Sequence, residues 1–365
     1  MTEELSRTSA LASRHTALGS GLEDWNGMGT AWTYTTDPND EHDAVRERAG
    51  MFDMSPLKKV IVSGADAAAV LDHLTTRDMR RIAEGEAAYL SVLTDAGAMA
   101  DDAIVYNNGG DEWMIVHGSG DTMALLEASV AGKSVTVQFS DDLHDLSVQG
   151  PGALQILNAH CDAELGDLAY FQHRATTLFG HPCRIPRTGY SGERGYEIFA
   201  DAAVIGDIWD RLADAGVMPC SFTALDKVRI EAGLLFYGYD MTTEQTPYEV
   251  GLGFTVSKSK TGYRGCEALA AARGNEKINN VCLVIDHDDM VNGGEQLSAN
   301  GSVVGVVNSP CFSHRLGKSL ALAHVSPGAA TPGTKLDLAG GDIVTTATVV
   351  AMPIYDPEKQ RTHQG

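Results

Sequence analysis

Three stretches of this chain place acids, bases and aromatics at fixed distances around glycines. In "GAMADDAIVY", Asp101 and Asp102 enter an apolar strand side by side. Neighbouring strand residues face opposite ways, so only one of the two carboxylates can look into a given pocket. In "RIPRTGYSGERGYEIF", Tyr190 sits between turn glycines, and Glu197 leads into Ile198 and Phe199. In "ALDKVRIEAGLLFYGYDM", Asp226 and Arg229 are three apart on one helical face and can pair, whereas Arg229 and Glu231 do not face each other. Each stretch also has a plainer reading alone: a turn aspartate with a solvated neighbour, a decorated hairpin, and a surface ion pair worth little.

The surrounding pattern defines the elements that must position these residues. "DEHDAVRERAGMF" reads as a helix, Val60–Val62 as a strand, and 65–76 as an amphipathic helix after the turn at Gly64. "DDAIVYNNGGDEWMIVHGSGD" reads as a hairpin around Asn-Gly-Gly. "HDLSVQGPGALQILNAH" reads as strand, turn and helix, with Pro151 near the helix start. "AVIGDIWDRLADAGV" and "FTALDKVRIEAGLLF" are two further helices. From about residue 278 the texture changes to short β runs split by Gly, Pro, Asn and Asp, the mark of a separate all-β domain. The hairpin makes the sheet at least partly antiparallel, so the fold class is α+β.

The totals narrow the function. A length of 365 residues gives two or three domains and a substantial core. With 27 Lys and Arg against 49 Asp and Glu, the net charge is −22, which disfavours nucleic acid and anionic membrane as partners. The six cysteines are scattered and the twelve histidines show no ligand spacing, so no metal is expected. Without a signal-like or spanning apolar run, a reducing, cytoplasmic setting with free thiols is expected. The chain contains no G-x-x-x-x-G-K-[ST], no H-E-x-x-H and no G-x-S-x-G, and no strand leads into G-x-G-x-x-G.

Taken together, the segments resemble the aminomethyltransferase family, which holds the glycine cleavage T-protein and related tetrahydrofolate-dependent methyltransferases and demethylases. "EHDAVRERAGMFDMS", "DAGAMADDAIVY", "LSVQGPGA", "RTGYSGERGYEI", "RIEAGLLFYGYDM", "TPYEVGLGFTV" with "YRGCEAL", and "SPCFSHRLGKSLALAHV" follow that family's motifs in order, nearly end to end. The last is similar to a Ser-Gly-x-Phe-Ser-Pro-x-Leu-Gly-x-Ser run. The resemblance implies a three-domain ring around a central folate cavity. Residues 1–55 and 145–275 would form a discontinuous folate-binding α+β domain, 56–144 a second α+β domain, and 276–365 a barrel-like β domain. It implies that Asp102 faces the N5/N10 region of tetrahydrofolate as the catalytic carboxylate. Tyr190, Glu197, Arg229 and Tyr237 would bind the cofactor, with Glu197 on the amino-pyrimidine edge of the pterin.

The chain departs from the T-protein pattern where a one-carbon donor would be read. Pro56 and Leu57 replace His-Met, Thr223-Ala224-Leu225-Asp226 replaces Gly-Ala-Arg-Asp, His117 stands for an asparagine, and Tyr239 for a glutamine. Trp25, Trp32 and Tyr34 lie in the N-terminal segment expected to border the cavity, where aromatic walls attract an ammonium or sulfonium methyl donor. His117 is the candidate acid for a methoxy donor. The expected function is transfer of a methyl group from such a small methylated substrate to N5 of tetrahydrofolate. The alternatives are a T-protein acting with a lipoyl carrier protein, and a folate-binding protein without turnover. In the last group a Lys-Gly-Cys-Tyr-x-Gly-Gln-Glu motif is usual, and "TGYRGCEAL" lacks that order.

Overall fold

Three β assemblies account for most of the strands that the alternation predicts. The computed structural model describes residues 5–341 and 343–363. A six-stranded sheet runs in the order His173–Leu178, His181–Pro186, Gly195–Asp201, Leu143–Gln149, Gly50–Asp53 and Met218–Pro219. A five-stranded sheet runs Ala87–Leu93, Met99–Gly109, Glu112–His117, Lys58–Ser63 and Thr136–Phe139. The C-terminal strands, from Asn279–Ile285 to Ile343–Val350, close into a six-stranded barrel. Met218–Pro219 pairs in parallel with Gly50–Asp53, while the hairpin strands and the barrel pair antiparallel. The expected α+β class with a C-terminal barrel is what the chain forms.

Alternation decides what each sheet face meets. On Gly195–Asp201, Tyr196, Ile198 and Ala200 pack under helix Ala202–Asp214, whose Ile205, Ile208, Trp209 and Leu212 fill the same core. The opposite face presents Glu197 and Phe199. On the five-stranded sheet, Val60, Val62, Ala103, Val105 and Ile115 share a core with helix Ala67–Leu74. Its other face turns Tyr106, Met114 and Val116 toward Phe199 of the first sheet. The Tyr106 and Phe199 rings meet edge to face at 5.5 Å. The two sheets thus confront each other across a space walled by alternate residues of both.

A buried ionic hub joins these sheets to the barrel. Helix Pro38–Glu47 starts with proline at its first turn, and Asp37 caps it by accepting from the Asn39 amide at 2.8 Å. Its far end presents Arg46, which donates to Glu231 at 2.7 Å and to the Ser191 carbonyl at 2.7 Å. Glu231, the last residue of helix Phe222–Glu231, also meets His42 at 2.9 Å and accepts from the barrel residue Ser313 at 2.6 Å. Removing one partner of such a buried set strands the others in low dielectric. Glu231→Ala should therefore lower stability by about 3–5 kcal/mol in equilibrium urea unfolding; a loss below about 1 kcal/mol, the range of an exposed pair, would show that the hub does not join these parts.

Candidate functional site

The strand Met99–Gly109 separates its two aspartates. Asp101 is fully buried on the helix-covered face, where Thr122 donates to its Oδ2 at 2.7 Å and His117 Nδ1 lies at 2.9 Å. Asp102 lies on the opposite face and accepts from the Tyr89 hydroxyl at 2.8 Å. Burial first, then repulsion from Asp101, push Asp102 up to about 7, with the Tyr89 hydrogen bond opposing them. A carboxyl so placed exchanges a proton near neutrality, as a general acid or base requires. His117, expected to reach the methyl donor, sits directly across from Ala103 on the Asp101 face. The sheet itself stands between His117 and Asp102, so the imidazole acts on that face only through Asp101. Its Nε2 is buried without a partner.

The glycines of "RTGYSGERGYEIF" serve packing as much as turning. Only Gly192 among them takes a positive φ, of 79°. At Gly189 and Gly195 an added Cβ would come within 2.0 Å of Gln149 Oε1. Gln149 occupies the space of both missing side chains. It donates to the Thr188 carbonyl at 3.2 Å and accepts from Ser191 Oγ at 2.7 Å, which clamps the loop to the strand Leu143–Gln149. The clamp fixes Tyr190, whose hydroxyl donates to the Leu235 carbonyl, and Glu197, which faces the second sheet. Tyr106 and Thr188 both donate to Glu197 Oε2. Burial pushes the Glu197 carboxyl up, and these two hydrogen bonds pull it down.

Sequence reasoning missed the neighbours of Glu197. On Leu143–Gln149, Asp145, Ser147 and Gln149 share one face, opposite Phe199, Glu197 and Gly195. Asp145 is fully buried, and neither carboxyl oxygen has a hydrogen-bond partner among the described residues. Burial, then the charge of Glu197, push it far above the usual carboxylate range. Lys59 lies nearby, donating to the Ser55 and Leu57 carbonyls at 2.7 Å each, and burial lowers it to about 8. The signal was present in "LHDLSVQ": Asp145, Ser147 and Gln149 fall at every second position, with Leu146 and Val148 between them.

Arg229 corrects the expectation of a weak surface pair. Its side chain is 3% exposed. It donates to Asp226 at 2.6 Å, to the fully buried Asp240 at 2.5 Å and to the barrel residue Ser309 at 2.9 Å. With Trp32, Tyr190, Phe222, Asp226, Phe236 and Tyr239 it lines a cavity of about 230 Å³. Trp25 packs against this lining, its ring 5.0 Å from Phe222 and 5.6 Å from Phe236. Tyr34 is not brought to the cavity. It is buried in a separate chain of hydrogen bonds, 2.8 Å from His15 Nδ1, whose Nε2 is 2.9 Å from Asp53. Tyr237 is pushed up to about 12 by burial and then by the charges of Asp101, Asp121 and Asp102. Tyr190 likewise feels both Arg229 and Asp102. The charge of Asp102 thus reaches both Tyr190 and Tyr237, and that of Arg229 reaches Tyr190. Glu197 joins them through Tyr106, four residues and ~13 Å along the strand from Asp102.

Comparison with known proteins gives one consistent answer. Residues 11–260 match the GCVT N-terminal domain, and residues 279–356 match the glycine cleavage T-protein C-terminal barrel domain. The chain is 43% identical to the heme-dependent oxidative N-demethylase gamma subunit of Ectopseudomonas mendocina, over 98% of this chain and 99% of that one. It is 35% identical to an aminomethyltransferase of Streptomyces coelicolor, covering 98% of this chain and 99% of the relative. The crystal structure of glycine cleavage system aminomethyltransferase T from Bartonella henselae superposes with a TM-score of 0.90 at 25% identity, covering 96% and 98% of the two chains.

The raised carboxyl of Asp102 has a measurable consequence for stability. Its folded value of about 7 lies above the ~3.9 of an unfolded aspartate, so the fold holds this proton more tightly. The stabilisation is whole below the unfolded value and is lost as pH rises through about 7. Asp102→Asn cannot ionise. The melting temperature of the variant minus that of the unaltered protein should therefore rise between pH 5 and pH 8 in a thermal-shift series. A difference that stays flat across that window would contradict the assignment.

Proposed function

The chain belongs to the glycine cleavage T-protein (aminomethyltransferase) family, and from that premise we propose that it is the folate-dependent subunit of an oxidative N-demethylase. It is a folate-dependent one-carbon transferase, as its relatives are. The observation that carries the finer reading is its identity of 43%, over almost the whole length of both chains, to a subunit of such a demethylase, against 35% to an aminomethyltransferase. The methylated donor expected from sequence then narrows to an N-methylated amine. Oxidation by partner subunits brings the methyl carbon to the level of formaldehyde. Joining that carbon to two N–H groups expels one water and needs no further oxidant.

Tetrahydrofolate supplies those two amine nitrogens. The residues present fit it. Both protein donors to Glu197 go to Oε2, which leaves Oε1 for a paired N–H edge. Asp145 adds two buried oxygens that no protein group satisfies. Tyr190 and Tyr237 supply flat walls, and Arg229 fixes Tyr190's surroundings by bonding both the helix and the barrel. Asp102, with its carboxyl at about 7, gives and takes the proton at the reacting nitrogen. Trp32, Phe222, Phe236 and Tyr239 beside Asp226 wall the cavity that adjoins Tyr190 and Arg229.

The test supplies tetrahydrofolate with either the oxidising subunits and an N-methylated amine, or an aminomethylated lipoyl carrier protein. Methylenetetrahydrofolate with the first supply, and no ammonia with the second, is the expected result. Ammonia release with the second would make the chain an aminomethyltransferase of glycine cleavage instead. 5-Methyltetrahydrofolate would restore direct methyl transfer. In the same assay Asp102→Asn should lower the rate by about 100-fold or more. Glu197→Ala should abolish tetrahydrofolate binding in calorimetry, and unchanged affinity would remove Glu197 from the pocket.

A further inference from the structure

Helix Pro38–Glu47 meets the turn that follows the barrel strand Ser302–Ser313 at three side chains for which the folate chemistry has no use. The rings of His42 and His314 approach edge to face, with centroids 4.8 Å apart. His314 Nε2 is 2.9 Å from Asp43 Oδ1, and His42 Nδ1 is 3.6 Å from the same oxygen. One possible ligand atom from each residue lies within 4.8 Å of the other two.

The state of His42 indicates what belongs between them. The residue is fully buried, and its Nε2 donates to Glu231 at 2.9 Å. The Nδ1 atom has no hydrogen-bond partner. With the proton held on Nε2 by Glu231, Nδ1 presents a lone pair toward a carboxylate oxygen. A cation between these two electron-rich atoms would satisfy both. A carboxylate holding the far nitrogen of an imidazole is also how metal-binding histidines are oriented. Glu231 is itself fixed by Arg46 at 2.7 Å and Ser313 at 2.6 Å, so the ring has little freedom to turn away.

We propose that His42 Nδ1, Asp43 and His314 bind a divalent transition-metal ion, with zinc the best match to two imidazoles and a carboxylate. With bonds of about 2.1 Å, neighbouring ligand atoms of a tetrahedral site lie about 3.4 Å apart. The His42–Asp43 separation of 3.6 Å is already close to that. The His314–Asp43 separation is a hydrogen-bond length and widens when the ion replaces the shared proton. Arg315 also reaches Asp43, at 2.8 Å, but divides its charge with Glu47 at 2.6 Å and keeps that partner when Asp43 turns to the ion. His314 is partly exposed, which gives an ion a way in. It stands where the motif resembled by this segment has proline, so the barrel turn does not need an imidazole. The ion would clip helix to barrel across 271 residues of chain, with water completing its coordination. This site is independent of the folate reading.

The experiment titrates the EDTA-stripped full-length chain with zinc by calorimetry, and with cobalt by visible absorption. The expected result is one tight equivalent, cobalt bands of a nitrogen- and oxygen-bound ion, and a raised melting temperature. His314→Ala and Asp43→Asn should each weaken binding by at least about 10-fold. Their melting temperatures in EDTA, compared with that of the unaltered chain, establish that the variants are folded. Absence of a tight equivalent in the unaltered chain overturns the proposal. Equal affinity in folded His314→Ala also overturns it, because the ion would then sit on other histidines or thiols.

Discussion

The two-faced geometry of the strand Met99–Gly109 is the constraint from which the site follows. It sends Asp101 under the helices and Asp102, Ile104 and Tyr106 into the space between the sheets. A buried carboxylate is tolerated only when paired, hydrogen-bonded or neutralised. Asp101 meets the requirement with His117 and Thr122. Asp102 meets it poorly, with one phenol, and keeps its proton to about neutral pH. The same adjacency that costs Asp102 its charge makes it useful for proton transfer. Burial and, after it, the charge of Asp101 on the other face set the proton affinity of this carboxyl.

The facing sheet repeats the principle. Asp145, Ser147 and Gln149 alternate with apolar residues, and they oppose Phe199, Glu197 and Gly195. Gln149 spends its amide on clamping the 187–197 loop, Glu197 is half satisfied, and Asp145 is not satisfied at all. Few interiors leave two carboxylates so close with so few protein donors. A ligand rich in N–H groups removes that deficit.

Local patterns were legible in the sequence, and partnerships across distance were not. The Asn-Gly-Gly hairpin, the amphipathic helices and the change to short β runs near residue 278 all reappear as the elements expected, because turn chemistry and periodicity are properties of neighbours. That only one aspartate of the pair could face the pocket followed from pleating alone. Arg229 was misjudged because its decisive partners, Asp240 and Ser309, lie 11 and 80 residues away. Tyr34 and His117 were placed toward the cavity for the same reason: their partners His15 and Asp101 could not be read from local pattern. The glycines of the loop looked like turn formers, although two of the three are small chiefly because Gln149 fills their place.

The positions where the chain departs from T-protein can now be sorted by what they touch. The Pro56 carbonyl accepts from Arg7 at 2.7 Å, and the Leu57 carbonyl accepts from Lys59. Both bonds use backbone carbonyls, which any residue offers, while the Leu57 side chain packs in the same cluster as Trp32, Tyr190 and Phe222. His117 pairs with Asp101 behind the sheet, at 2.9 Å. Tyr239 differs: it is 60% exposed and stands in the wall of the aromatic cavity with Trp32 and Asp226. On the proposed reading, acceptor chemistry belongs to the inter-sheet carboxylates. Donor choice must then rest on the few cavity residues that neither bind the inter-sheet face nor brace the scaffold. Trp32, Asp226 and Tyr239 are the set that the geometry leaves for that task.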